Sequence, residues 1–195
     1  MFYWFARWLC KIALVTLRRW EVRGVENIPA EGPLIVTANH VSYWDPVVVG
    51  CALSRQVFFM AKAELFRFPV FASILRWLGA FPVHRHRPDR QALQRTRQEL
   101  EKGHVLGVFP EGTRSKTDTF LKPHLGAALL AVKYGVPVLP VALQGTRGLC
   151  GKVRVRIGEP LRFAGEGGEK PSKERLEAVA QEIMERIGAL LKGLR

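Results

Sequence analysis

Hydrophobic and polar positions alternate along the chain with two different periods. Short apolar, β-branched runs predict buried strands, whereas apolar positions three or four residues apart predict helices. Strands are predicted for residues 20–25, 33–38, 56–61, 80–83, 104–109, 137–143 and 152–157. Helices are predicted for residues 1–19, from Pro46 onward, for 66–78, 88–102 and 123–134, and after the cap Ser172. Because strands and helices alternate, we predict an α/β fold: a single-domain sandwich with a central β-sheet flanked by helices.

The last predicted strand, residues 152–157, alternates strictly between apolar and basic residues. Such alternation is typical of a strand with one buried face, and a charged outer face suits the edge of a sheet. We therefore predict an edge strand whose outer face carries Lys152, Arg154 and Arg156. That face is either simply solvated or a second contact with an anionic surface.

The first nineteen residues are unusually apolar and aromatic, and Arg7, Lys11 and Arg18 share one narrow stripe of the predicted helix. No apolar run approaches the roughly 20 residues needed to span a bilayer. A charged leader with a small-residue cleavage site is also missing, so no signal peptide is expected. Two interpretations compete: a helix in the membrane interface, with aromatics down and the basic stripe up, or a helix packed on the domain's own core. We adopt the first, with residues 20–195 as the main domain.

Hydrophobic content, net charge and the number of cysteines limit which classes of protein the chain can belong to. The 195 residues are 48% hydrophobic, which argues against disorder, and the net charge of +13 favours an anionic partner. The basic residues are spread along the chain without a nucleic-acid-binding motif, so no nucleic-acid partner is expected. Cys10, Cys51 and Cys150 are an odd number without metal-like spacing, which suits a reducing compartment.

Residues 39–45 read Asn-His-Val-Ser-Tyr-Trp-Asp and follow a predicted buried strand. They place His40 on a turn at the end of the strand and Asp45 at the start of the next helix, so the turn can fold the carboxylate back onto the imidazole. A carboxylate that holds one ring nitrogen leaves the other free to take a proton from a hydroxyl. The segment alone leaves two simpler alternatives open: Asp45 as only a helix cap, and His40 as an ordinary loop histidine.

A second motif, Phe-Pro-Glu-Gly-Thr-Arg-Ser at residues 109–115, follows another predicted strand. With it, the chain resembles the glycerolipid acyltransferases, specifically the 1-acyl-sn-glycerol-3-phosphate acyltransferases, over about residues 20–163. Four blocks match that family in its order: Asn39, His40 and Asp45; Gly79, Phe81, Val83 and Arg85; residues 109–115; and Val136, Pro137, Pro140 and Val141. In one departure, Lys122 and Gly126 are farther apart than in the Phe-Lys-x-Gly of many members.

The resemblance implies a glycerol-3-phosphate acyltransferase-like fold and transfer of an acyl group from a thioester to 1-acyl-glycerol-3-phosphate, giving phosphatidate. It makes His40 the general base and Asp45 the carboxylate that orients it. The residues it implies in substrate binding are Arg85, Glu111, Gly112, Thr113, Arg114 and Lys122. Simpler alternatives are a tight turn for Glu111 and Gly112 and a solvated loop for Arg85. No cofactor or metal is implied, and the acyl donor is acyl-CoA or acyl carrier protein.

The implied partners are a lysophospholipid, the acyl thioester and a membrane surface, with the protein peripheral on the cytoplasmic face. Competing functions are acylation of another lysolipid, such as a lyso-ornithine lipid or lysophosphatidylethanolamine, and non-catalytic lipid binding. An apolar groove or the core is predicted to contain Phe58, Phe59, Phe66, Phe68, Phe71, Leu75 and Trp77. Deleting residues 1–19 is expected to abolish most liposome binding and activity on bilayer substrate, while activity on detergent-dispersed acceptor partly survives.

Overall fold

The computed structural model describes residues 1–84, 89–117, 119–148, 150–164 and 171–194. Within these ranges, the chain forms six α-helices and seven strands that join in one sheet. The helices are α1 (Phe2–Arg18), α2 (Asp45–Ala52), α3 (Pro69–Trp77), α4 (Arg90–Glu101), α5 (Gly126–Tyr134) and α6 (Lys173–Lys192). The strands are β1 (Glu21–Arg23), β2 (Leu34–Ala38), β3 (Val57–Lys62), β4 (Phe81–Val83), β5 (Val105–Val108), β6 (Val138–Gln144) and β7 (Arg154–Ile157). The predicted α/β sandwich is confirmed.

The sheet has the strand order β1-β7-β6-β2-β5-β3-β4. Strand β2 lies in its centre and pairs in parallel with β5 on one side and β6 on the other. Because parallel strands end at the same edge, the loops that follow β2, β5 and β6 meet there. In open α/β sheets, such an edge is the usual place for a ligand site.

Helices cover both faces of the sheet, so all five residues of β2 are buried. Leu34, Val36 and Ala38 pack in one hydrophobic cluster with residues of α1 and α2. Ile35 points to the other face and packs in a second cluster with residues of α5 and α6. Successive side chains of β2 therefore point to opposite faces of the sheet and pack in different clusters.

The prediction that residues 152–157 form an edge strand is wrong. Strand β7 lies between β6, with which it is antiparallel, and β1, with which it is parallel. The outer position is taken by β1, which is too short to predict its pairing from its sequence. The apolar side of β7 is buried as predicted, with Val155 and Ile157 in the core.

The predicted position of the basic stripe of α1 is also wrong, because Arg7 and Arg18 face the domain. Most aromatic side chains of α1 point outward, as the interfacial interpretation predicts. Arg7 donates hydrogen bonds to the carbonyl groups of Gly50, Cys51 and Leu53 at the end of α2, at distances of 2.7–3.2 Å. Arg18 is 4% exposed and binds carbonyl groups of the loop between β6 and β7. A guanidinium that meets several carbonyl oxygens is well compensated for its burial. Lys11 is the member of the stripe that stays exposed.

Most of the aromatic residues around α3 lie outside the core, and their part in an acyl groove stays a prediction. Phe68, Phe71 and Trp77 are exposed, because α3 buries only Ala72. Phe58 is partly buried on the second core cluster and stacks on His104, at the opposite end of β5 from the residue 109–115 motif. Phe59 packs against the first cluster. No helix in the described ranges combines the length and hydropathy needed to cross a bilayer.

Candidate active site

His40 and Asp45 lie together at the edge of the sheet where β2 ends. His40 Nδ1 is 2.8 Å from Asp45 Oδ2, and the side chains are 12% and 0% exposed, respectively. The loop from residue 39 to residue 44 turns sharply, so α2 begins at Asp45 and its carboxylate points back at the imidazole. The other ring nitrogen, Nε2, has no hydrogen-bond partner among the residues that the structure describes. This is the geometry of a base whose tautomer is set by a carboxylate.

The carboxylate of Asp45 is not a cap of its own helix. Oδ2 accepts hydrogen bonds from the backbone N–H groups of Val41 and Ser42, both at 2.7 Å, in addition to the contact with His40. Both donors precede α2, so the carboxylate organises the loop that carries the histidine. Three polar contacts therefore converge on one oxygen of Asp45 and hold it in place.

The face of the imidazole is covered by an aromatic row. The rings of His40 and Phe109 stack with centroids 4.0 Å apart, and Phe59 stacks on Phe109 at 5.9 Å. The close approach of Phe59 to β5 depends on Gly107, because a Cβ atom at that position would collide with the Phe59 ring. The row leaves the imidazole few orientations other than the one that faces Asp45.

Glu111 connects the motif at residues 109–115 to the motif at residues 39–45 by hydrogen bonds. Its carboxylate, in a residue that is 2% exposed, accepts hydrogen bonds from the backbone N–H of His40 and of Leu121, both at 2.9 Å. Ser115 adds a second link, since its N–H donates to the carbonyl oxygen of His40 at 2.8 Å. The prediction that Glu111 contacts substrate stays a prediction, but its oxygens already serve the histidine loop.

Gly112 lies in a tight turn with φ +66°, in which its N–H bonds to the carbonyl oxygen of Phe109. A Cβ atom there would also press on the ring of His124. Both observations favour the simpler alternative of a turn for Gly112, which brings the next residues back toward His40. Its predicted contact with substrate stays a prediction.

Arg114 lies on the exposed side of the histidine loop. Its guanidinium carbon is 3.5 Å from the centroid of the Tyr43 ring, and Nη2 donates to the Tyr43 hydroxyl at 2.8 Å. A cation held over an aromatic face keeps its remaining N–H groups in a fixed plane. In the described part of the chain no other group accepts from this guanidinium, so it is available to an anion.

The remaining predicted binding residues are less constrained. Thr113 and Lys122 are exposed, and Lys122 follows Leu121, whose N–H is held by Glu111. Arg85 lies outside the described residues, as does most of the basic cluster at residues 84–87. Across the described ranges, no group of three or more His, Cys, Asp or Glu side chains is placed to hold a metal ion.

Sequence reasoning missed three contributors to the site. Asn39 belongs to the first motif, and its amide binds both the N–H and the carbonyl group of Leu143, which joins β2 to β6. Tyr43 lies inside the same motif, but nothing in the spacing predicts its contact with Arg114. Arg147 follows β6 and donates to the carbonyl oxygens of Ser115 and Thr117. Of the three, only Asn39 is a matched position of a family block, so only its importance could have been predicted from the sequence.

Comparisons with known proteins identify the family. A family model described as Acyltransferase matches residues 19–144. The 1-acyl-sn-glycerol-3-phosphate acyltransferase of Bacillus subtilis is 35% identical over 176 residues, which are 87% of this chain and 87% of the relative. The protein of the same name from Pseudomonas aeruginosa is 32% identical over 199 residues, 95% of this chain and 76% of the relative.

A solved structure is similar as well. The crystal structure of the 1-acyl-sn-glycerophosphate (LPA) acyltransferase from Thermotoga maritima matches with a TM-score of 0.77 and 32% identity, over 97% of this chain and 79% of that one. The resemblance predicted from the four sequence blocks is confirmed. The chain therefore belongs to the acyltransferase family, among the 1-acyl-sn-glycerol-3-phosphate acyltransferases.

Proposed function

We propose that this enzyme transfers an acyl group from a thioester to the free hydroxyl of 1-acyl-glycerol-3-phosphate, with His40 as the general base. The observation that carries the proposal is the 2.8 Å contact between His40 Nδ1 and the buried Asp45 carboxylate, because it leaves Nε2 without a partner among the described residues. A neutral alcohol attacks thioesters slowly, and a positioned base contributes about 10²–10⁴ in rate.

The proton and the acyl group move in a balanced sequence. The acceptor oxygen attacks the thioester carbonyl carbon while its proton passes to His40 Nε2. Asp45 stabilises the resulting imidazolium without taking the proton itself. The tetrahedral intermediate then collapses, the carbon–sulfur bond breaks, and the imidazolium returns the proton to the leaving thiolate. The products are the acylated acceptor and a free thiol, and the enzyme needs no nucleophile of its own.

Activity on purified substrates tests the proposed acceptor and donor together. The protein is assayed with acyl-CoA and with acyl carrier protein thioesters, against lysophosphatidate, lysophosphatidylethanolamine and lyso-ornithine lipid. The proposal expects the highest kcat/KM with lysophosphatidate and no turnover without a thioester. Preference for either of the other acceptors would assign the enzyme to that lysolipid, and absence of turnover with every pair would reject catalysis.

Arg114 is the proposed contact for the acceptor phosphate, because its planar fork matches phosphate oxygens and Tyr43 holds it in place. A hydrogen bond to a charged group contributes about 1.5–3 kcal/mol. Arg114→Ala should therefore lower kcat/KM for lysophosphatidate by about 10- to 100-fold, and by less for the matching monoacylglycerol. The control is Arg162→Ala, which removes an exposed cation elsewhere. Equal losses with the two acceptors would show that Arg114 does not bind the phosphate.

We further propose that the protein docks on the membrane through α1 and α3. Phe2 of α1 and Trp77 of α3 touch, with ring centroids 5.2 Å apart, and from this contact we infer that the exposed apolar residues of the two helices form one surface. That surface is composed of Phe5, Trp8, Leu9, Ile12, Phe68, Val70 and Phe71, in addition to that pair. Lys11, Arg67 and Arg76 are exposed on the same helices and on the turn before α3. An apolar patch beside basic residues suits an anionic bilayer interface.

The cytoplasmic face of that membrane is the proposed location, because the three cysteines are free thiols and suit a reducing compartment. The variant Trp8→Ser, Phe68→Ser, Val70→Ser removes apolar area from both helices, and it should reduce flotation with anionic liposomes at least tenfold. Leu93→Ser, a change at an exposed leucine of α4, is the matched control. Undiminished flotation of the triple variant would place the docking surface elsewhere.

A further inference from the structure

The loop between β6 and β7 is held from one side by the end of α1. Arg18 donates to the carbonyl oxygens of Gly145 at 2.6 Å, Gly148 at 2.9 Å, Gly151 at 3.2 Å and Arg147 at 3.4 Å. The backbone of Arg18 adds a bond from the N–H of Val153 to its carbonyl oxygen. A guanidinium that is 4% exposed and meets several carbonyl oxygens fixes the backbone that supplies them.

The same loop reaches the active site from its other side through Arg147. Nη2 of Arg147 donates to the carbonyl oxygen of Ser115 at 3.0 Å and to that of Thr117 at 2.6 Å. Ser115 directly follows Arg114, and its N–H donates to the carbonyl oxygen of His40. One residue is therefore bonded to the proposed base through its nitrogen and to Arg147 through its oxygen.

We propose that Arg147 is a positioning residue for acyl transfer, acting through Ser115 on the loop that carries His40. The proposal rests on the function proposed above. A displacement of about 1 Å in a catalytic group can cost on the order of a hundredfold in rate. Loosening Ser115 should therefore lower kcat, and it should do so for an acceptor with or without a phosphate, because the link runs to His40. A residue that serves only the stability of the loop would leave the kcat of the folded protein unchanged.

The test compares Arg147→Ala, Arg147→Lys and the control Arg162→Ala, at a temperature well below the Tm of each protein. We expect Arg147→Ala to lower kcat at least tenfold with both lysophosphatidate and the matching monoacylglycerol, while KM for the thioester changes less than threefold. Arg147→Lys should recover only part of the loss, since an ammonium lacks the planar fork of a guanidinium. Arg162→Ala should stay within twofold of the parent.

Hydrogen exchange supplies a readout that does not depend on turnover. In Arg147→Ala, the peptide containing Ser115 should exchange faster, while peptides of α6 keep the parental rate. A kcat within twofold of the parent, a loss restricted to KM, or unchanged exchange at Ser115 would each overturn the positioning role. His40→Ala separates failure of the proposed function from failure of the positioning role. If His40→Ala is inactive while Arg147→Ala is fully active, the proposed function stands and the positioning role fails. If His40→Ala is fully active, the proposed mechanism fails first.

Discussion

Replacing His40 by alanine should lower kcat by about 10²–10⁴ while the protein remains folded. Nδ1 of the imidazole is bound to Asp45, and Nε2 has no hydrogen-bond partner among the described residues. The His40 ring stacks on Phe109 but is not a member of the buried clusters on the two faces of the sheet, so we expect the variant to fold. A parental circular dichroism spectrum and a cooperative thermal transition above the assay temperature would assign the loss to chemistry.

Asp45→Asn provides the second half of this prediction. The amide oxygen can still accept from Val41 and Ser42, but the negative charge that stabilises the imidazolium is gone. Because an orienting carboxylate also sets the tautomer of the histidine, we expect a fall in kcat on the order of a hundredfold or more. Steady-state rates of a folded His40→Ala protein that equal those of the parent would exclude His40 as the base, and the measurement at Asp45 would then have no catalytic meaning.

Removing residues 1–19 should abolish activity even on detergent-dispersed acceptor, contrary to the expectation from the sequence. Leu14 and Tyr3 are buried, and the Tyr3 hydroxyl accepts from the N–H of Val57 in β3. Truncating a buried leucine typically costs about 2–5 kcal/mol, and domains have only about 5–15 kcal/mol of stability in total. The deletion also removes the hydrogen bonds from Arg7 to the end of α2 and from Arg18 to the loop that carries Arg147. The truncated protein should show no cooperative thermal transition near the parental Tm.

The surface variant with serine at positions 8, 68 and 70 is the matched comparison for this deletion. Its three changes lie on exposed side chains, so it should keep the parental Tm and full activity in detergent while it loses flotation. The deletion should lose both. A truncated protein that melts cooperatively at the parental Tm and remains active in detergent would show that α1 is only a membrane anchor and not part of the fold.

The local geometry of the first motif could be predicted from the sequence because it depends on neighbours. His40 and Asp45 are five residues apart, and a strand followed by a turn and a helix leaves few ways to arrange them. The fold class could be predicted as well, because the apolar spacing within each segment distinguishes strands from helices and the two alternate along the chain. The resemblance to a family extended these local predictions to Arg114 and Glu111, which no local pattern joins to His40.

What the sequence could not predict depends on contacts between distant segments. The spacing of Arg7, Lys11 and Arg18 shows that they share a face of α1, but it does not show whether that face meets lipid or protein. The groups that decide are backbone carbonyls at residues 50, 51 and 53 and at residues 145, 147, 148 and 151, and every residue type carries such a group. The link from Arg147 to Ser115 and the stacking of Arg114 on Tyr43 were hidden for the same reason.

The hydrogen bond from the N–H of His40 to the Glu111 carboxylate also bears on the order of events in folding. It joins residues 71 positions apart, and the bonds between Asn39 and Leu143 join residues 104 positions apart. Contacts of such long sequence separation form only when β2, β5 and β6 are already paired, because closing so long a loop is costly until the sheet compensates for it. A nascent or refolding chain can acquire most of its helices before His40 meets its supports. Acyl transfer in this protein is therefore a reporter of completed folding rather than of helix content.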